Sequence, residues 1–250
     1  MLKQHTKWRA VLLATVALAG VIGCGGSSSS DNGGTAPPNI TRTTEATFSE
    51  SARILAAREA AASGATWLNA DTARGFDADL SAVRRTFPQV GDITALSEYG
   101  LRTVVVAVRA GTAWEDNWRR GEPTTGEPAL DALLAEFAPE QIRALGGAIE
   151  TMPAYFTVRF GQSLNMVKLA ERLKAASANI TAANPDYAAG DGNNIVRVAN
   201  TPGDGSRRYV FSRGSGDCPA GCIDRYSYAF AVSANGETVT LLREYDRRDE

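Results

Sequence analysis

Cys218 and Cys222 are separated by three residues, in GDCPAGC. Such a pair can close a disulfide, shuttle electrons as a dithiol, or hold a soft metal through two thiolates. The C-x3-C spacing differs from the C-x2-C of dithiol relays, and no thioredoxin-like βαβ pattern surrounds it. Two thiolates without imidazole partners are a poor ligand set for zinc. The pair is therefore expected to form a disulfide that staples a turn, with Pro219 fixing φ and Gly221 free to take φ > 0. Trp114 and Trp118 are the next candidates. Exposed, they would grip a glycan or a partner protein; buried, they would close a sheet face, and burial is the reading adopted. Asp186, Asp191, Asn193 and Asn194 put oxygen ligands in one stretch, but without the D-x-[DN]-x-[DN]-G spacing of a calcium loop. They are read as solvated turn residues, and no metal is expected.

The third cysteine has a different setting. Lys3, Lys7 and Arg9 precede an apolar run from Ala10 to Val21, with no acidic residue among them. The run is short of the roughly 20 residues that span a bilayer, so it reads as a secretory leader. It ends in Val21-Ile22-Gly23-Cys24, which resembles the bacterial lipobox. The resemblance implies that residues 1–23 are removed and that Cys24 carries a thioether-linked diacylglycerol with palmitate-type chains. Membrane lipid is then the first partner, reached through acylated Cys24. The folded part is expected to be lipid-anchored in the cell envelope, outside the cytoplasm, on a periplasmic face or the cell surface. The sole histidine, His5, leaves with the leader. Serine–histidine and cysteine–histidine hydrolases and imidazole-bound zinc are excluded on that reading. Only Lys168 and Lys174 remain as lysines, and no S-x-x-K, phosphate-loop or dinucleotide motif occurs. No catalytic residue, no enzymatic activity and no cofactor is expected.

Residues 24–47 are rich in Gly, Ser, Asn and Pro and read as a flexible tether. Its r.m.s. reach is roughly 25–30 Å, enough to lift a domain off lipid head groups. Losing a leader with three positive side chains takes the formal charge from −2 to −5. A mildly acidic chain with scattered arginines gives no reason to expect nucleic acid.

The elements that must position these residues follow from periodicity. Residues 48–100 read as a helical segment. A capping box at Thr47–Glu50 opens an alanine-rich helix closed by Gly64, and a second helix near Phe76–Phe87 is capped by Asp77. Both are expected to act as lids. Residues 101–190 read as β-α-β-β-α-β: a strand at Leu101, helices around Leu130–Phe137 broken by Pro139, and strands at AIETM and AYFTVRFG. A helix with Leu164, Val167, Leu169 and Leu173 as apolar positions and a strand at NITAANPDY complete the set. Residues 191–250 read as an antiparallel β meander carrying the disulfide turn. The expected fold class is α+β: a ferredoxin-like sandwich with N-terminal helices and a C-terminal meander.

The GDCPxGC turn ahead of an aromatic strand (Tyr226, Tyr228) resembles bacterial lipoproteins of unknown function, which implies no activity. The order over residues 101–187, ending in Asn184-Pro185-Asp186, is similar to the propeptide-like inhibitor domain of subtilisin-type proteases. That likeness implies an extracytoplasmic protease as partner. The leading expectation is a non-enzymatic binding or structural lipoprotein, whose partner is an envelope protein. The alternative is a protease-inhibitor-like or propeptide-like module.

Overall fold

The structure is a computed structural model. It describes residues 48–146, 152–188, 192–198, 203, 205–216, 218 and 222–246. The expected leader, Cys24 and the tether lie outside the described residues.

Helix α1 (Glu50–Ser63) is capped by Ser49, whose hydroxyl accepts the Ala52 N–H at 3.4 Å. This corrects the expected box: Ser49 caps the helix, and Thr47 lies outside the described residues. The helix ends at Gly64, which takes a left-handed φ of 71°, a conformation that is cheap only without a Cβ. Helix α2 (Ala70–Thr86) starts well before the expected Phe76. Asn69 caps it by accepting from Asp71 and Thr72 N–H. The cap and the burial of Phe76, Leu80 and Val83 outweigh the roughly 1 kcal/mol that a helical glycine such as Gly75 costs. Asp77 does not cap α2; its carboxylate accepts the Ser49 N–H at 2.9 Å and so ties the start of α1 to α2.

The middle of the chain forms a four-stranded antiparallel sheet from β1 (Tyr99–Val108), β2 (Pro139–Leu145), β3 (Ala154–Phe160) and β4 (Ile180–Tyr187), in the order β2-β3-β1-β4. Helices α3 (Glu115–Arg119), α4 (Pro128–Phe137) and α5 (Met166–Ala176) belong to the same unit. Residues after Pro139, expected as a second short helix, are strand β2. Ala138 turns the chain at φ 46°, and Pro139 opens an edge strand, where its missing N–H is tolerated. Ile142 then pairs with Val158 and points inward. The expected AIETM strand, residues 148–152, falls mostly on 148–151, outside the described set; the hairpin partner of β3 is β2. Along β3, Ala154, Phe156, Val158 and Phe160 are buried, while Tyr155 and Arg159 face out. On α5, Met166, Leu169, Ala170 and Leu173 are buried and Val167 is exposed, contrary to the expected apolar stripe.

The last segment is a second antiparallel sheet in chain order: β5 (Asn194–Val198), β6 (Arg207–Ser215), β7 (Asp224–Val232) and β8 (Val239–Asp246). The expected meander is the arrangement found. Helices α1 and α2 are more than lids. Ala52, Leu55, Phe76, Leu80 and Val83 share one core with Ile195, Tyr209, Phe211, Phe230 and Val232. The first sheet has its own core, built from Val104, Val106, Phe156, Val158, Leu169 and their neighbours. The fold is thus α+β with two cores. One comes from a continuous stretch of chain. The other is assembled from the segments before and after it.

No helix among the described residues is long and apolar enough to cross a membrane.

Candidate functional site

The two cores meet at residues 65–67 and 163–165. Trp67 and Leu164 form an isolated antiparallel bridge. The Asn165 side-chain amide donates to the Ala65 carbonyl at 2.8 Å while its oxygen caps α5. Beside this seam lies a cleft of about 810 Å³. Its walls are α1 (Ile54, Ala57, Arg58, Ala61), the approach to β1 (Leu96–Leu101), the start of α5, the end of β4, and the disulfide turn. Small side chains at 57 and 61, one turn apart on the same helix face, open the groove in α1.

Arg58 ties the cleft together. Its guanidinium donates to the carbonyls of Leu96 and Ile195 and to the Asn194 side-chain oxygen, the last at 3.0 Å. The same Asn194 oxygen accepts the Leu96 N–H at 3.1 Å. These bonds join α1, the segment ahead of β1, and β5. Burial lowers the Arg58 pKa, but an arginine keeps its charge at any physiological pH. At the rim, the neighbouring Glu98 carboxylate raises the Tyr99 phenol pKa, first as a side-chain hydrogen-bond acceptor and then through its charge.

Cys218 and Cys222 are bonded to each other, as expected, and both line the cleft. They sit in the β6–β7 hairpin loop, where Ser215 pairs with Asp224. Cys222 itself takes φ 55°; Gly221 lies outside the described residues. Two glycines make room for the sulfurs. A Cβ on Gly192 would fall 2.6 Å from Cys218 Sγ, and one on Gly214 would fall 2.5 Å from Cys222 Sγ.

The tryptophans lie elsewhere. Trp114 and Trp118 are 3 % and 0 % exposed in the first core, with ring centroids 4.9 Å apart, and Trp118 stands edge-on to Phe156. Neither is accessible to a partner. Trp114 Nε1 donates to Glu127 at 2.6 Å, while Trp118 Nε1 has no hydrogen-bond partner. The oxygen-rich stretch is dispersed: Asp186 is on β4, Asn194 is bound to Arg58, and Asp191 lies outside the described residues. No group of three or more His, Cys, Asp or Glu side chains among the described residues could hold a metal. Residues Ile180–Asp186, on which the propeptide likeness rests, run along edge strand β4, with Pro185 opposite Val104.

The sequence pointed to the disulfide but missed Arg58, Glu98, Tyr99, Tyr187 and Arg225, all of which line the cleft. They are scattered from α1 to β7, and only the paired alanines on α1 hinted at a groove.

Compared with known proteins, the chain matches no protein-family model, no curated protein and no solved structure.

Proposed function

We propose that this chain is a lipid-anchored binding protein of the cell envelope, held through acylated Cys24, which takes up a ligand in the cleft and performs no chemistry on it. The observation that carries the reading is the cleft itself. At about 810 Å³ it lies within the range of small-molecule sites, about 300–1,000 Å³, and it combines apolar walls with a few polar groups at its rim. Its polar groups fit retention better than turnover. Arg58 is committed to carbonyl oxygens, and the sulfurs are joined. The tether and leader read from the sequence supply the address.

We further read the Tyr99–Tyr187 unit as ferredoxin-like. The strand order β2-β3-β1-β4, antiparallel throughout, supports this, as do helices between the first and second and the third and fourth strands. The scaffold carries no function by itself.

Native mass spectrometry of the full protein, released gently from its envelope, tests the binding reading. The expected spectrum shows acylation at Cys24 and a co-purifying small molecule that Ala61→Trp removes by filling the groove. Ligand-free protein, or a bound mass indifferent to Ala61→Trp, would overturn it.

A further inference from the structure

We infer that the cleft takes an anionic single-chain amphiphile, its aliphatic tail along the α1–α5 wall and its head group at the mouth beside Arg225. The inference rests on the cleft being a binding site and adds what the ligand is.

Wall chemistry selects the tail. Ala57, Ala61 and Leu101 present aliphatic carbon, backed by the nearly buried Ile54 and Met166. The aromatic lining residues, Tyr99 and Tyr187, come from the ends of β1 and β4. Tyr187 is 74 % exposed and Val167 43 % exposed, so the apolar surface continues from the cleft onto the outside. An aliphatic chain gains about 0.8 kcal/mol per buried methylene in such a channel.

Charge selects the head group. Among the described residues, three charged side chains line the cleft: Arg58, Glu98 and Arg225. Arg58 is bound to neutral oxygens and keeps its full charge. Arg225 has no hydrogen-bond or ion-pair partner among the described residues. Among the described residues the cleft therefore carries one positive charge in excess, on a chain whose formal net charge is negative. A carboxylate or phosphate head group complements it, and a guanidinium binds either through paired N–H donors.

The test uses the mature chain, residues 24–250, carrying Cys24→Ser, which has neither leader nor acyl chains and needs no detergent, titrated with cis-parinaric acid or its methyl ester and read by polyene fluorescence. The acid is expected to bind at least tenfold more tightly than the ester. Arg225→Ala should weaken the acid about tenfold and leave the ester unchanged. Ala61→Trp should abolish both, with circular dichroism showing that the variants fold.

Equal binding of acid and ester, or equal loss of both in Arg225→Ala, overturns the head-group assignment while leaving the cleft as a binding site. Displacement by two-chain phosphatidylglycerol but not by palmitate overturns the single-chain assignment. Binding that survives Ala61→Trp overturns the location. If neither probe binds while envelope-derived protein still carries a mass that Ala61→Trp removes, the ligand class is wrong and the binding reading stands.

Discussion

The two cores solve the same packing problem with different parts of the chain. The first is closed within Tyr99–Tyr187, and its strands and helices follow one another through short connections. The second joins α1 and α2 to a sheet that begins more than a hundred residues later, at Asn194. A continuous core can be held by apolar packing alone, because its chain closure is short. The remote core is also tied by polar bonds across the gap. Asp79, 2 % exposed, receives Arg207 through Nε at 2.5 Å and Nη2 at 2.7 Å, and the Tyr209 hydroxyl at 2.6 Å. Arg58 does the same for α1 and β5. Long-range assembly here coincides with buried, directional bonds.

The largest expected effect comes from the first core. Trp118 is fully buried against Trp114 and Phe156. Trp118→Ala should destabilise by about 3–5 kcal/mol, the usual cost of deleting a buried aromatic. Urea unfolding followed by far-ultraviolet circular dichroism measures it. The unpaired Trp118 Nε1 sharpens the comparison. Trp118→Phe deletes an unsatisfied donor with modest volume, so it should cost less than half of the alanine change. A Trp118→Ala effect below about 1 kcal/mol would mean that the first core is not held by packing.

In the second core the largest effect should be polar. Asp79→Ala leaves the Arg207 guanidinium and the buried Tyr209 hydroxyl without their acceptor, and should cost about 3 kcal/mol. Burial, then the bond to Asp79 and its charge, pushes the Tyr209 pKa far up, so the hydroxyl stays protonated and needs an acceptor at any ordinary pH. Tyr209→Phe in the Asp79→Ala background tests whether the bonds form one network. The double variant should be less destabilised than the sum of the single ones, because the orphaned hydroxyl is gone. Strict additivity would break the view that directional bonds hold the remote core.

The same contrast explains what could be read from sequence. β3 and α5 carried clear periods of two and 3.6, β1 was a β-branched run of strand length, and these and the short β4 stand close to their expected places. β2 was misplaced because PEQIRAL alternates weakly after a helix, and its strand identity comes from pairing with β3. The start of α2 was missed because Gly75 sits inside it, and the cap depends on Asn69 rather than on the acidic Asp77. The union of α1–α2 with the last sheet left no local trace, since neither segment's pattern names its partner. The disulfide was legible because it needs only two nearby cysteines; the cleft was not, because its lining residues meet only after both cores have formed.

The disulfide should have an intermediate effect. It closes a loop of a few residues in the second sheet, and Cys218→Ala is expected to cost about 1–3 kcal/mol without abolishing the fold. Mass spectrometry of unreduced, alkylated protein checks the bond itself. Gly192 offers a finer probe, because it takes φ 86° and a Cβ there would meet both sulfurs. Gly192→Ala should destabilise the bonded protein more than the Cys218→Ala/Cys222→Ala variant, where the sulfurs are absent. Equal penalties in the two backgrounds would assign the whole cost to backbone conformation.

The smallest expected effect tests whether the first core has any polar tie of comparable weight. Glu127 accepts from Trp114 Nε1 at 2.6 Å and from Asn179 Nδ2 at 2.8 Å, linking the approach to α3 with the approach to β4. Burial works to raise its pKa, but hydrogen bonds from Ser177, Trp114 and Asn179 outweigh it and hold the carboxyl below the usual value. Asp131 is depressed as well, first by the Thr125 hydroxyl, which donates at 2.7 Å. A carboxyl whose folded pKa lies below its unfolded one contributes stability that is present above the unfolded value and lost as pH falls through the folded one. Wild-type melting temperature should therefore fall on acidification below the ordinary carboxyl range, about pH 4.5, and keep falling as the pH drops through the depressed folded values. Glu127→Gln keeps an oxygen acceptor but removes the charge, so it should cost about 1 kcal/mol at neutral pH and flatten the acid limb. An acid limb as steep as that of the wild type would show that Glu127 does not contribute to it. The first core would then rest on packing, and its acid sensitivity would fall to other carboxyls such as Asp131.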